Sequence, residues 1–106
     1  MFNPDQEKKR CKNLIECNSL ENVRENIERI DREIVKLISE RSSYVRQAAR
    51  LKKTKEDVRA PKRVEEVIAK VKTLAEKEGL DPDIVEEVYR TMISCFIKYE
   101  MKELGK

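Results

Sequence analysis

Charged side chains interrupt the apolar pattern of this 106-residue sequence at five positions. In the first helical segment, Arg41 and Lys52 fall at three- and four-residue steps that otherwise carry aliphatic residues, and Arg24 flanks the same side. Further along, Arg63 borders one apolar stripe and Glu100 falls within another. A buried cation requires an anion close by. Four cations with one carboxyl group therefore predict a pocket for a small polyanion, most simply a dicarboxylate.

Each of these residues taken alone has a simpler interpretation. A long charged side chain on an apolar face can reach back to solvent, or it can form half of an ordinary salt bridge. The excess of cations over carboxyl groups favours a binding pocket instead. If Lys52 binds a substrate anion, we expect it to sit unpaired while the site is empty.

Composition narrows the chemistry further. Histidine is absent, which removes the commonest general base and metal ligand and any Ser-His or Cys-His nucleophile pair. The three cysteines Cys11, Cys17 and Cys95 contain no Cys-x-x-Cys pair, so we expect no metal site. We expect them to be reduced thiols in a cytoplasmic protein, with Cys95 packed in the core.

The charge and hydropathy patterns argue against two classes of partner. The 24 basic and 21 acidic residues are interspersed and give a net charge of only +3, so no basic stripe for nucleic acid is formed. No apolar stretch approaches the ~20 residues of a membrane span. We therefore expect a protein that binds neither nucleic acid nor a membrane.

Apolar periodicity predicts an all-α fold. Residues 1–18 show no sustained period and are expected to be a mobile N-terminal lead, followed by one helical domain over residues 19–106. The first helix is expected to begin near Asn18, with Glu21 as its capping-box partner, and to run to about Lys53.

Two shorter helices follow in this interpretation. A loop is expected over residues 54–60, after which Pro61 suits the first position of a second helix and Gly79 the residue beyond its end. Asp81 is expected to cap a third helix, which Gly105 ends. The sequence thus predicts a three-helix protomer with one long N-terminal helix.

The length of the first helix predicts an oligomer. About 34 residues at ~1.5 Å each span roughly 50 Å, whereas a compact 100-residue domain is only ~34 Å across. Because the apolar stripe continues through both ends of the helix, the simplest cover is the same helix of a second copy. We expect an intertwined homodimer, with a long solvent-exposed coiled coil as the alternative.

Four motifs in the first segment occur together at fixed spacing. Arg24 lies near its start, followed by the pair Ile30-Asp31, the pair Glu40-Arg41, and Lys52 eleven residues after Arg41. This combination resembles the first helix of the all-helical chorismate mutases, and the likeness extends over residues 20–104. The resemblance implies a three-helix protomer in a swapped dimer. It also implies the pericyclic rearrangement of chorismate, a dicarboxylate, to prephenate without cofactor or metal.

The resemblance also implies a role for each charged residue. Arg41 is expected to pair with one substrate carboxylate, and Arg24 to hold a carboxylate in the neighbouring site across the dimer. Lys52 and Glu100 are the expected catalytic residues, both directed at the ether oxygen of the substrate. Arg63 is expected to lie near the substrate. Many bacterial members have Gln at the position of Glu100, whereas fungal mutases resemble this sequence in having Glu.

One departure from the mutase pattern concerns substrate choice. Val64 stands where typical bacterial mutases have a Glu that contacts the ring hydroxyl of chorismate, so Val64 is a candidate substrate-contacting position. The run 60–64 is more similar to isochorismate pyruvate lyases, relatives that yield salicylate and pyruvate, although Glu100 departs from their usual Gln. Three hypotheses stay open: a chorismate mutase, an isochorismate pyruvate lyase, and a non-catalytic helical interaction module.

Overall fold

A computed structural model describes residues 16–105, and within that range the secondary structure is helical, without strands. The helices are α1 (Leu20–Leu51), α2 (Lys55–Arg59), α3 (Pro61–Lys77) and α4 (Pro82–Leu104). The predicted all-α class and its three main helices are confirmed. The described residues form two compact units, 16–51 and 52–105. Most of the expected N-terminal lead, including Cys11, lies outside the described residues.

Helix α1 begins at a serine cap and buries none of its residues. The Asn22 backbone N–H donates to Ser19 Oγ at 3.1 Å, so Ser19 caps the helix rather than Asn18. The helix ends at Leu51, two residues before the expected end. Its apolar stripe is 39–60% exposed and consists of Val23, Ile27, Ile30, Ile34, Leu37 and Ile38. These 32 residues span about 48 Å.

The segment expected to be a loop contains the short helix α2, so that expectation is wrong. A reciprocal capping box starts the helix: Asp57 N–H donates to Thr54 Oγ1 at 3.1 Å, and Thr54 N–H donates to Asp57 Oδ2 at 3.2 Å. Val58 is the residue that α2 buries, at 3% exposure. Ala60 ends α2 in the left-handed region, with φ 35° and ψ 60°, and it is also the residue that precedes α3.

The turn between α3 and α4 agrees with the sequence. Gly79 adopts φ 72° and donates to the carbonyl of Glu76 at 3.2 Å, while Leu80 N–H donates to the carbonyl of Ala75 at 2.8 Å. These two bonds form a Schellman motif, which satisfies the last carbonyls of α3. The Asp81 side chain then accepts from the Asp83 N–H at 2.9 Å and starts α4. Gly105 is the residue that ends α4.

Helix α4 is held in the second unit by apolar packing and by an ion network. It packs against α2 and α3, and the core residues of α3 are Ile68 and Ala75. Arg90 of α4 makes a bidentate pair with Glu65 of α3 at 2.8 and 2.9 Å, and its Nε donates to Glu86 at 2.8 Å. Lys72 Nζ lies 3.0 Å from the other oxygen of Glu86. The four side chains therefore connect α3 to α4 through alternating charges.

One face of α4 is exposed, and it includes Cys95, which was expected to be buried. Cys95 is exposed rather than packed in the core, and Ile84, Val88 and Tyr99 are also exposed at helical spacing with it. Apolar residues occupy more than one side of α4, so periodicity did not distinguish the side that contacts α3.

Among residues 16–105, no helix has the length and apolar run to span a membrane. In the same range, no three Cys, Asp or Glu side chains converge as a metal-binding group.

The ion network predicts an acid-sensitive contribution to stability. Hydrogen bonds from Arg90 lower the pKa of Glu65 and, together with a bond from Lys72, that of Glu86. A lowered carboxyl pKa stabilises the fold above the ordinary pKa and loses that effect as pH falls through the folded value. Arg90→Gln is therefore expected to lower Tm by a few degrees near neutral pH and to change it much less below about pH 3.

The measurement is thermal unfolding followed by circular dichroism across that pH range at fixed protein concentration. Lys98→Gln removes one positive charge from an exposed position of the same helix and serves as the matched control. An equal loss of Tm for Arg90→Gln at every pH would contradict this account of the network.

Candidate active site

Lys52 and Glu100 form the one ion pair with a buried carboxylate among the described residues. Lys52 Nζ donates to Glu100 Oε2 at 2.9 Å across 48 positions of sequence. The Glu100 side chain is 5% exposed and that of Lys52 is 26% exposed. The two expected catalytic residues are therefore brought together. The expectation that Lys52 sits unpaired in an empty site is wrong, because its ammonium group forms an ion pair with Glu100.

The surroundings of Glu100 explain why it needs that partner. It lies one helical turn from both Phe96 and Leu104 on α4, and both of these side chains are half-buried. A carboxylate removed from water in apolar surroundings is costly unless a cation and hydrogen bonds satisfy it. Glu100 is the one charged residue that the structure buries within residues 16–105. Such a group is a candidate for function, because an apolar residue would fill the same space at lower cost.

Lys52 reaches Glu100 from a position outside any helix. Helix α1 ends at Leu51, and the capping box of α2 begins two residues after Lys52. Asp57 Oδ2 accepts from the N–H of both Lys53 and Thr54 at 3.2 Å. The bond from Lys53, followed by those from Thr54, lowers the pKa of Asp57 and keeps it ionised. Sequence reasoning missed Asp57, although the Thr-x-x-Asp pattern of a capping box was there to find.

The structure does not bring Arg63 to this ion pair. The Arg63 side chain is 62% exposed, and its guanidinium lies 3.8 Å from Glu66 on the same helix. The neighbouring Val64 is half-buried in the first turn of α3, where its N–H donates to the carbonyl of Ala60 at 3.0 Å. A side chain at position 64 is thus partly shielded from water, whereas Arg63 can move in solvent.

The other two arginines lie on α1, in the first unit. Arg24 is exposed near the helix start, and Arg41 is half-buried in its second half. They are seventeen residues apart, which corresponds to about 26 Å along the helix axis. That distance is too long for both side chains of one α1 helix to hold the same small dicarboxylate. If both arginines bind such a substrate, they must belong to different copies of the chain.

Comparison with known proteins identifies the family of this chain. The family model for chorismate mutase type II matches residues 23–101, most of the chain. The chain therefore belongs to the chorismate mutase type II family. It is also similar to a protein named isochorismate pyruvate lyase from Pseudomonas aeruginosa. The two are 34% identical over 87 residues, which cover 82% of this chain and 86% of the relative. The family expected from the motifs is confirmed.

The buried ion pair predicts an asymmetric effect on stability. Lys52→Met leaves the Glu100 carboxylate buried without its cation, so the free energy of unfolding is expected to fall by about 1–3 kcal/mol at neutral pH. The double variant Lys52→Met/Glu100→Leu is expected to be closer to the wild type, since no charge is then buried.

Urea unfolding at neutral pH and one protein concentration measures these differences. Lys53→Met changes the adjacent exposed lysine in the same way and is the matched control. A single variant as stable as this control would mean that the Lys52–Glu100 contact contributes nothing to folding.

Proposed function

We propose that this chain is a chorismate mutase, an isomerase that rearranges chorismate to prephenate in a pocket lined by Arg and Lys. The observation that supports the proposal most is the Lys52–Glu100 pair, a buried carboxylate held by a half-buried ammonium group. Membership of the chorismate mutase type II family supports the same class of substrate. The reaction is unimolecular, so it requires no nucleophile, metal or cofactor, in keeping with a sequence without histidine.

In the proposed mechanism, the protein binds one conformer and stabilises developing charge. Arg24 and Arg41 hold the two substrate carboxylates, which keeps the reacting ends of the molecule close together. Arg63, whose side chain is exposed beside Glu66, would have to move toward the bound substrate to contact it. As the ether C–O bond breaks and the new C–C bond forms, negative charge grows on the ether oxygen. A hydrogen-bond donor placed at that oxygen lowers the barrier.

Lys52 is the better placed of the two candidate donors. An ammonium group has three N–H bonds, so Lys52 can keep its bond to Glu100 and direct another at the ether oxygen. Glu100 in its ionised form can only accept, and it donates to the ether oxygen only when protonated. The ionised Glu100 would therefore orient Lys52, while the protonated form would add a second donor.

Isochorismate pyruvate lyase is the second candidate activity, and Val64 is the observation that favours it. A valine cannot bind the ring hydroxyl of chorismate as the Glu of typical bacterial mutases does. The similarity to the P. aeruginosa protein of that name, 34% identical, supports the same alternative. Elimination of pyruvate from isochorismate can use the same carboxylate clamp and the same donors. The lyase reaction differs in that a hydrogen atom moves from the ring to the departing enolpyruvyl group.

The proposal includes an intertwined homodimer. The apolar stripe of α1 leaves six large side chains at least 39% exposed, and a contiguous apolar surface of this kind usually marks an interface. A second copy of α1 would cover it with a matching surface. The axial separation of Arg24 and Arg41 supports the same arrangement, with Arg24 serving the site of the neighbouring protomer. Residues 19–106 form the catalytic domain in this proposal, residues 1–18 are a lead, and the enzyme is cytoplasmic.

Separate incubations with chorismate and isochorismate test the activity. Prephenate from chorismate is expected, while salicylate and pyruvate from isochorismate would favour the lyase.

Val64→Glu is expected to raise the ratio of mutase to lyase activity several-fold, because a carboxylate there can accept from the ring hydroxyl. A ratio that is unchanged or shifts toward lyase would mean that position 64 does not select the substrate. Turnover of neither substrate by the wild type would favour a non-catalytic interaction module.

Complementation between variants tests the dimer and the role of Arg24 together. Arg24→Ala and Lys52→Ala homodimers are both expected to be nearly inactive. When the two are unfolded and refolded together, random pairing makes half of the dimers mixed, and each mixed dimer regains one intact site. The mixture should then recover about one quarter of wild-type activity. Sedimentation should show a single species of twice the chain mass, and a stable folded monomer would contradict the arrangement.

A further inference from the structure

The short helix α2 holds the backbone directly after Lys52. Lys52 lies beyond the last helical residue of α1, so α1 does not fix its direction by helical geometry. The next peptide N–H, that of Lys53, donates to Asp57 Oδ2 at 3.2 Å. Because that N–H belongs to the same peptide plane as the Lys52 carbonyl, the bond fixes the orientation of this plane.

A second and a third bond make this arrangement rigid. Thr54 N–H donates to the same Asp57 oxygen at 3.2 Å, and Asp57 N–H donates back to Thr54 Oγ1 at 3.1 Å. The helix that carries Asp57 is itself attached to α4, because α2 packs on α4 and buries Val58 to 3% exposure. Glu100 lies on the same helix α4. The backbone after Lys52 is therefore held against α4 through α2, and the carboxylate that accepts from the Lys52 ammonium group is part of α4 itself.

Positioning of this kind matters most for a lysine. Its side chain has four rotatable bonds and loses rotamer entropy when it is held in one conformation. A donor that is misplaced by about 1 Å can lower a rate by as much as ~100-fold. A fixed backbone reduces the number of conformations from which Lys52 must reach its target.

We propose that Asp57 is a positioning residue of the active site, which fixes the backbone at Lys52 so that its ammonium group meets Glu100 and the ether oxygen of the substrate. This inference rests on the proposed function, since it assigns Asp57 a part in the same reaction. It concerns the rate of the chemical step more than substrate affinity, because the substrate carboxylates are held by arginines of α1.

Steady-state kinetics of three variants tests the proposal on whichever substrate the wild type converts. Asp57→Ala is expected to lower kcat by about 10- to 100-fold with a much smaller change in KM. Asp57→Asn is expected to recover most of the activity, because its amide oxygen can accept from the same two N–H groups. Glu56→Ala removes the neighbouring exposed carboxylate in the first turn of α2 and should leave kcat within about twofold of the wild type.

Two further measurements separate positioning from a general loss of structure. Amide hydrogen exchange at Lys53 and Thr54 should accelerate in Asp57→Ala, while Tm changes by no more than a few degrees. Thr54→Val removes the other half of the capping box with little change of shape, and it should lower kcat in the same direction by a smaller factor. This variant also decides the matter if Asp57→Ala fails to fold.

The outcomes distinguish this inference from the proposed function. An active wild type whose kcat is unaffected by Asp57→Ala and Thr54→Val overturns the positioning role and leaves the proposed function intact. The positioning role is also overturned if the fall in kcat of Asp57→Ala is fully explained by a smaller fraction of folded protein and Asp57→Asn does not recover activity. Turnover of neither substrate by the wild type overturns the proposed function, and the catalytic role of Asp57 with it.

Discussion

Burial of one carboxylate constrains much of the second unit. Glu100 lies among apolar neighbours on α4, and a charge in that position requires a cation at hydrogen-bond distance. Lys52 supplies it from a segment outside any helix, so that segment must in turn be held. The capping box of Asp57 and the burial of Val58 hold it. Apolar packing alone would be satisfied more easily by a leucine at position 100, and this cost agrees with the catalytic role proposed for the pair.

The sequence predicted the long-range features of this fold better than its local ones. Periodicity over many residues identifies α1, α3 and α4, because each presents an apolar stripe through several turns. Charged residues within those stripes indicate Lys52 and Glu100 as two of five candidates, but their ion pair was not predicted, since Lys52 was expected to be unpaired. A helix of five residues is too short to show a period, so periodicity predicts a loop where α2 lies. Its only signal is the capping pattern from Thr54 to Asp57, which depends on side-chain geometry.

Other differences have equally local causes. The choice between Asn18 and Ser19 as the cap of α1 depends on which side chain reaches the Asn22 N–H, and neighbouring caps of similar strength cannot be ranked from composition. The exposure of Cys95 follows from a helix that carries apolar residues on more than one side. Arg63 fits the sequence pattern of the family, but its side chain lies in solvent beside Glu66. Sequence position placed it on the right helix without fixing where its guanidinium points.

Ala60 joins α2 to α3 without a spare residue, as the end of one helix and the cap of the next. Connections between helices usually tolerate insertions and deletions, because their length is not tied to the elements that they connect. Here one inserted residue would turn every side chain of α3 by about 100° relative to α2, and Arg63 and Val64 would exchange faces with their neighbours. A change of one residue at this joint is therefore expected to reorient the whole of α3 rather than to be absorbed locally.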